Sequence, residues 1–328
     1  MIRREASRRE FLAAVAALAA TRAVSASTTA ARTPVAPLQG PDTVRFGVTA
    51  LQGASYGEIL TFWRTADSLG FDSAFVYDHF MGAATASTDA QRCLESWTLL
   101  SALAAKTERI RLGVLVSGAG YRYPAILAKM AATVDQVSRG RLILGMGAGW
   151  LEREFVAYGI PFYTKGGRAK RLVEAVEVVK QLFTQERSTY NGKYFTLKDA
   201  PCEPKPVQRP HPPILIGGMG PKIVQPLAAR HAQIWHFLVP GAEPAEIRKL
   251  CENFDGLCRD VGRDPREIEK ATSLLPTLAQ GSVKDALAQI HALKDAGIRH
   301  FILLPPAGND RGVLRWFASE IIPELRGK

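Results

Sequence analysis

The residues best suited to chemistry follow an apolar run at 73–77 that is typical of a strand. Asp78 and His79 come directly after it. An imidazole exchanges protons near neutral pH, and a neighbouring carboxylate can orient it or orient a bound cofactor. The alternative role of this pair is to cap a loop. Asp78 and His79 are therefore the candidate acid or base residues.

Two glycine-rich segments follow other apolar runs. Residues 217–220, Gly-Gly-Met-Gly, open a predicted helix, where bare backbone N–H groups bind phosphate, although a tight turn would use the same glycines. Residues 145–149, Gly-Met-Gly-Ala-Gly, lack the spacing of a dinucleotide-binding fingerprint. We expect these glycines to let a flat ring lie close to the backbone.

Several common kinds of chemistry find no motif in the sequence. It contains no G-x-S-x-G, G-x-x-x-x-G-K-[ST], H-E-x-x-H or paired C-x-x-C pattern, so a triad hydrolase, a P-loop enzyme and a metal site are not indicated. The net charge of +11 raises the question of a nucleic-acid partner. No stretch combines a dense basic cluster with aromatic residues, so we expect no nucleic acid to bind.

The elements that must position these residues alternate between short apolar runs and amphipathic stretches. Eight such repeats predict an α/β fold, a (β/α)8 TIM barrel, whose reactive groups follow the carboxyl ends of the strands. An Asn-Gly hairpin signal at 190–194 and a proline-rich stretch predict an insertion before strand 5. The predicted strands are 44–49, 73–77, 110–116, 142–146, 213–217, 233–237, 268–275 and 300–304. The predicted helices are 57–69, 95–105, 124–138, 167–184, 221–230, 243–262, 282–296 and 309–325.

The N-terminal segment has the layout of an export signal. Arg8-Arg9, Phe11 and Leu12 resemble a twin-arginine signal, and the apolar run at 11–20 is too short to span a membrane. We therefore expect a signal peptide at 1–26, with cleavage at Ala26 left open. A flexible leader at 27–42 and a barrel domain at 43–326 follow. The expected location is periplasmic or otherwise extracytoplasmic.

Longer segments carry a family resemblance. FDSAFVYDHF, RGRLILGMGAGW, the NGKYF hairpin and PPILIGGMG resemble the luciferase-like monooxygenase family, and within it the branch of oxidoreductases that use the deazaflavin coenzyme F420. The resemblance implies a TIM barrel that holds a flavin or deazaflavin ring at its C-terminal mouth. It also implies hydride transfer between reduced F420 and a small organic substrate.

The same resemblance implies roles for individual residues. Asp78 and His79 would lie near the ring, with His79 as proton donor or orienter. A non-prolyl cis peptide would fall near Leu115 to Ser117. Trp150 stands where some deazaflavin dehydrogenases have a catalytic glutamate, and His236 also departs from the common pattern. The implied cofactor-binding residues are Val116, Ser117, Gly147, Ala148, Gly149, Trp150, Gly217, Gly218, Met219 and Gly220.

Two other functions remain open on the sequence. One is an FMN-dependent luciferase-like monooxygenase, which would use the same glycines. The other is an exported protein that binds the cofactor without catalysis. The expected partner is a small-molecule substrate, with no stable membrane insertion, and a homodimer is left open.

Overall fold

The computed structural model describes residues 43–82, 92–275, 278, 281–304 and 308–326. The predicted signal peptide and flexible leader lie outside the described residues. No helix in the described part of the chain is long and apolar enough to cross a membrane.

Within the described residues, eight parallel strands close into a barrel, as predicted. The strands of the chain are β1 (Arg45–Thr49), β2 (Ser73–Val76), β3 (Arg111–Val114), β4 (Ser117–Gly118), β5 (Leu142–Gly147), β6 (Arg187–Asn191), β7 (Thr196–Pro201), β8 (Ile214–Gly217), β9 (Ile234–Phe237), β10 (Glu269–Leu274) and β11 (His300–Leu303). The barrel order is β1, β2, β3, β5, β8, β9, β10 and β11, and β11 pairs with β1. The short strand β4 adds to the end of β5.

Helices connect these strands and cover the outside of the barrel. They are α1 (Tyr56–Ser68), α2 (Ser96–Ala104), α3 (Pro124–Ser138), α4 (Glu152–Ala157), α5 (Lys165–Thr184), α6 (Val224–His231), α7 (Pro244–Asp260), α8 (Val283–Asp295), α9 (Arg311–Trp316) and α10 (Ile322–Arg326). Local sequence explains their ends. Ser55 and Glu58 form a capping box at the start of α1. Gly140 and Gly297, which come just after α3 and α8, have positive φ, which allows an abrupt turn into the next strand.

Two elements differ from the sequence prediction. The short helix α4 was expected to be loop. The predicted helix at 309–325 is divided, because a π-helical stretch, Phe317–Ile321, separates α9 from α10. Pro323 follows that stretch and has no N–H for the i→i−4 hydrogen bond, which explains why a regular α-helix does not continue through it.

The predicted insertion is present between α5 and β8, but its hairpin turn is wider than expected. Strands β6 and β7 are antiparallel, and Asn191 pairs with Thr196, so residues 192–195 form the loop. The Glu174 carboxylate of α5 accepts hydrogen bonds from the N–H groups of Lys193, Tyr194 and Phe195. This contact with a neighbouring helix stabilises a longer turn than the local Asn-Gly signal predicts.

The barrel interior has a different composition at each level. An apolar layer of buried side chains fills its middle, namely Phe75, Leu115, Ile143, Leu215, Ile234, Ala271 and Ile302. The N-terminal end contains a buried polar cluster in which Glu269 pairs with Arg45 and His300, and Ser73 bonds His300. These layers close one end of the barrel, so an accessible cavity can form only at the other.

Candidate active site

A cavity of about 930 Å³ lies at the carboxyl ends of the barrel strands. Its walls are the segments that follow β2, β3, β5, β8, β9, β10 and β11. This is the end at which TIM-barrel enzymes carry their reactive groups. The cavity is therefore the candidate active site.

His79 is fixed at the cavity wall by a buried carboxylate. Its Nδ1 lies 2.9 Å from Oε2 of Glu154 on α4, whose side chain is completely buried. The other oxygen of Glu154 accepts hydrogen bonds from the N–H groups of Phe80 and Met81, each at 3.0 Å. One carboxylate thus holds both the imidazole and the loop that carries it.

The ionisation of Glu154 determines which nitrogen of His79 carries the proton. Burial raises the pKa of Glu154, but hydrogen bonds from His79 and from the Tyr121 hydroxyl outweigh it and leave this pKa below its ordinary value. Glu154 is therefore a carboxylate at neutral pH. Because a carboxylate can only accept hydrogen bonds, Nδ1 of His79 carries a proton, and Nε2 is the nitrogen available to a bound molecule.

The contacts of Asp78 favour a positioning role, and its predicted acid or base role stays a prediction. Asp78 is buried, and its Oδ2 accepts from the N–H of Gly118 at 2.9 Å. Oδ1 accepts from the Ser96 hydroxyl at 2.6 Å, and the Arg122 guanidinium contacts both oxygens at 2.9 and 2.7 Å. A carboxylate with so many donors holds neighbouring segments together, and it is poorly placed to exchange a proton.

The predicted cis peptide is present between Leu115 and Val116. Val116 lines the cavity and packs against Gly147, which was predicted to line the ring, and against Gly217, which was predicted to bind phosphate. A Cβ atom on Gly147 would lie 2.4 Å from the Val116 side chain, and one on Gly217 would lie 3.0 Å from it. The side chain of Val116 and bare backbone therefore form a smooth wall.

Ser117 is the one predicted cofactor-binding residue that the structure places outside the lining of the cavity, and its role stays a prediction. Ser117 is buried, and its hydroxyl accepts a hydrogen bond from the indole of Trp97 at 3.1 Å. It is not among the described residues that line the cavity. The β4 pairing with β5 explains this difference, because it fixes the segment against the barrel wall.

The other predicted cofactor residues all line the cavity, although contact with a cofactor stays a prediction. They are Val116, Gly147, Ala148, Gly149, Trp150, Gly217, Gly218, Met219 and Gly220. Trp150 is 61% exposed and meets His79 edge-to-face, with ring centroids 5.9 Å apart. Trp150, which stands where some deazaflavin dehydrogenases have a catalytic glutamate, therefore forms an aromatic wall beside the imidazole of His79.

Two helix N-termini and three cationic side chains favour an anion at one side of the cavity. Residues 217–220 lead into α6, and Lys222 lies in this connection. The N-terminus of α5 contributes Lys165 and Arg168, and Arg168 also donates to the carbonyl of Gly149 at 3.1 Å. Backbone N–H groups at helix starts and nearby cations both stabilise phosphate.

Sequence reasoning missed several contributors. It assigned no role in the site to Glu154, Tyr121 or Arg168. A usable signal for Glu154 was its place after β5, because the carboxyl ends of all barrel strands converge. The partner of a particular loop residue still depends on side-chain packing, which the sequence spacing does not specify.

Comparisons with known proteins agree with this architecture. The family profile described as "Luciferase-like monooxygenase" matches residues 42–320. The chain is 28% identical to an F420-dependent glucose-6-phosphate dehydrogenase of Microbacterium testaceum, over 86% of this chain and 98% of that one. It is 33% identical to an FMNH(2)-dependent dimethylsulfone monooxygenase of Pseudomonas putida, over 53% of this chain and 46% of that one.

A solved structure shows the same fold. An F420-dependent secondary alcohol dehydrogenase in complex with an F420-acetone adduct superposes with a TM-score of 0.76 at 23% identity. The match covers 87% of this chain and all of that one.

Proposed function

Because this chain belongs to the luciferase-like monooxygenase family, we propose that it is an oxidoreductase that binds coenzyme F420 and transfers a hydride between it and a small organic substrate. The observation that carries the proposal is the His79–Glu154 pair beside the glycine-lined wall of the cavity. The similarity to F420-dependent relatives over most of the chain supports this choice of cofactor.

The residues of the cavity fit a flat ring with an anionic tail. In the wall formed by Val116, Gly147 and Gly217, an added methyl group would clash with Val116 at Gly147 and would fit only tightly at Gly217, so a planar group can lie against bare backbone. The glycine turn before α6, together with Lys222 and Lys165, supplies donors and positive charge for phosphate. F420 combines these two features.

The residues of this chain supply proton transfer and orientation. Bound F420 accepts or donates the hydride. When an alcohol is oxidised, Nε2 of His79 takes the hydroxyl proton as the hydride leaves carbon and the C=O bond forms. The carboxylate of Glu154 stabilises the imidazolium produced, and in the reverse direction Nε2 returns the proton to the carbonyl oxygen.

Titration with F420 and with FMN, side by side, tests the cofactor assignment. We expect F420 to bind about tenfold or more tightly than FMN, followed by absorbance changes of F420 when an alcohol or carbonyl substrate is added. Tighter binding of FMN, with oxygen consumption by the reduced protein, would establish the monooxygenase alternative. Tight F420 binding with no redox change across a broad panel would establish a non-catalytic binding protein.

We also propose export by the twin-arginine pathway to a periplasmic or other extracytoplasmic location. Arg8-Arg9, the ten-residue apolar run and the small residues before Ala26 support it, and all of them lie outside the described residues. Fractionation of cells tests the proposal with an Arg8→Lys, Arg9→Lys variant. The wild-type chain should leave the cytoplasm and the variant should stay there, whereas export of both would exclude this pathway. The homodimer stays an open alternative, which light scattering of the purified protein tests.

A further inference from the structure

One carboxylate oxygen in the candidate active site accepts two hydrogen bonds from side chains. Oε2 of Glu154 lies 2.9 Å from Nδ1 of His79 and 2.6 Å from the hydroxyl of Tyr121. Tyr121 follows β4 and lines the cavity, whereas Glu154 belongs to α4. The imidazole and the phenol therefore share the negative charge of a single oxygen atom.

The Tyr121 hydroxyl is a permanent donor to this oxygen near neutral pH. Burial, and then the hydrogen bond to Glu154, raise the pKa of Tyr121 above its ordinary value. The phenol therefore stays protonated, and because a carboxylate can only accept hydrogen bonds, the proton points from Tyr121 to Glu154. Burial raises the pKa of Glu154, and the bonds from His79 and Tyr121 more than offset it.

Aromatic contacts fix the ring that carries this hydroxyl. The centroid of the Tyr121 ring lies 4.8 Å from that of Phe80 and 4.6 Å from that of Phe155. A Cβ atom added to Gly118 would lie 2.8 Å from the Tyr121 ring, so the bare backbone of β4 leaves the space that the ring fills. These contacts do not involve the hydroxyl. A phenylalanine in place of Tyr121 should therefore keep the ring packed and remove only the hydrogen bond.

We propose that Tyr121 is a positioning residue that sets the pH at which His79 changes between its neutral and its protonated form. The inference rests on the proposed function, because the proton that His79 exchanges is the one transferred in the reaction. A hydrogen bond to Oε2 of Glu154 reduces the negative charge available to a protonated imidazole. Tyr121 therefore weakens the attraction between Glu154 and protonated His79, which keeps more of the imidazole in the form that accepts a proton.

The other titratable groups that lie closest to His79 in the described structure are paired or uncharged. Asp78 forms an ion pair with Arg122, which also contacts Glu95. The Cys93 thiol donates to the carbonyl oxygen of His79 at 3.2 Å. Burial, and then the nearby carboxylates, raise the pKa of Cys93 to about 11, so this thiol carries no charge near neutral pH.

The rest of the described cavity wall gives Glu154 no further side-chain partner. Burial, and to a lesser extent the nearby His300, lower the pKa of His236 to about 3, so this imidazole is neutral near pH 7. The cationic side chains of the wall contact other groups or face the cavity, and they are Lys165, Arg168 and Lys222. Among the described residues, His79 and Tyr121 are therefore the two side chains that hydrogen-bond Glu154.

An NMR titration of the cofactor-free protein measures this effect without catalysis. The ring signal of His79 is assigned by its loss in a His79→Gln variant and is followed between about pH 5 and 9 in the wild type and in Tyr121→Phe. We expect the midpoint of the variant to lie about half to one pH unit higher, which corresponds to the loss of one hydrogen bond of ordinary net strength. An unchanged midpoint, or a lower one, overturns the inference.

Tyr158→Phe is the matched control for this titration. The Tyr158 ring also packs against Phe80, with centroids 4.8 Å apart, and its hydroxyl donates to the carbonyl oxygen of Phe80 at 3.3 Å. The variant removes a phenol hydroxyl from the same aromatic group and leaves the contacts of Glu154 as they are. Its midpoint should equal that of the wild type. An equal shift in both variants would assign the effect to aromatic packing and refute the role of Tyr121.

The pH profile of the F420-loaded protein tests the inference in the reaction. For oxidation of an alcohol, the midpoint of the fall in kcat/KM at acid pH should move up by about half to one unit in Tyr121→Phe. For reduction of the carbonyl product, the midpoint of the fall at alkaline pH should move up by the same amount, because His79 must be protonated there. A lower kcat at every pH with unchanged midpoints would indicate a purely structural role and overturn the inference.

The proposed function and this inference fail in distinguishable ways. If the NMR midpoint shifts in Tyr121→Phe but the protein transfers no hydride with F420, the positioning role stands and the proposed function is wrong. If hydride transfer occurs and neither midpoint shifts, the proposed function stands and the inference about Tyr121 is wrong.

Discussion

Replacing Glu154 with glutamine is expected to reverse the hydrogen-bonding pattern of His79 while keeping the shape of the site. The amide oxygen can still accept from the N–H groups of Phe80 and Met81, as the carboxylate does. The amide NH2 then faces Nδ1 of His79 and donates to it. Nδ1 becomes an acceptor, so Nε2 carries the proton and can no longer take one from an alcohol.

The expected loss can be bounded from the structure. The Glu154 carboxylate lies 2.9 Å from Nδ1, and at an effective dielectric constant of about 20 a full charge pair at that distance interacts by roughly 6 kcal/mol. Desolvation offsets part of this energy, so 6 kcal/mol is an upper limit. General acid–base catalysis contributes about 10²–10⁴-fold, or roughly 3–5 kcal/mol. We therefore expect Glu154→Gln to lower kcat/KM about 10²–10⁴-fold in both directions.

The assay is the rate of F420 absorbance change with a secondary alcohol, measured between pH 5 and 9. The pH profile of the residual activity of Glu154→Gln should also differ from that of the wild type, because the variant no longer transfers the proton through Nε2. Glu152→Gln makes the same chemical change at an exposed position of α4 and should behave as wild type. An active Glu154→Gln variant with an unchanged pH profile would refute the proton-transfer role of His79 and the orienting role of Glu154.

Other variants test the cofactor wall and the stability of the barrel. Gly147→Ala should weaken F420 binding about tenfold, because its Cβ would lie 2.4 Å from the stiff side chain of Val116. Gly256→Ala is the matched control in α7, where the added Cβ would meet open space, and it should raise the free energy of unfolding in urea by about 0.5–1 kcal/mol. Lys165→Gln with Lys222→Gln should weaken F420 binding about twofold to tenfold and reduce its dependence on salt in the same titration; binding that stays equally salt-dependent would contradict the assigned anionic side. Burial raises the pKa of Glu269, but the contacts with His300 and Arg45 outweigh burial and hold this pKa below its ordinary value. The ionised Glu269 therefore stabilises the fold at pH values above its pKa in the unfolded chain, and this stability is lost as the pH falls through its pKa in the folded protein. The urea midpoint should therefore be lower at pH 4 than at pH 7, and a Glu269→Gln variant should show a smaller difference.

Local sequence determined the barrel because its elements are specified by short-range patterns. All predicted barrel strands are present with ends within two residues of the prediction, and the glycines after α3 and α8 adopt a positive φ, which glycine allows without strain. Because parallel strands need a helical crossover between them, a chain that alternates strands and helices can adopt only a few topologies. The hairpin was less well predicted, because the carboxylate of Glu174, distant in sequence, stabilises its loop.

The sequence predicted where the candidate site lies in the barrel, but it did not predict the role of each residue in the site. The sequence placed Asp78 and His79 together after one strand and placed the glycine segments after two others, and the closed barrel brings them to one cavity. It named both Asp78 and His79 as candidate acid or base residues. In the fold, Asp78 is held by Arg122 and Ser96, whereas His79 is held by Glu154 and faces the cavity.

The sequence by itself determined the fold, the family and the edge of the barrel that carries the site. These follow from hydrophobic periodicity and chain order, which are local properties. Only the tertiary structure decided which carboxylate orients the imidazole, that Ser117 is turned toward Trp97, and that the cationic side chains share one side of the cavity. The physical reason is that hydrogen-bond partners and charge distribution depend on distances between segments far apart in the chain, and packing alone sets those distances.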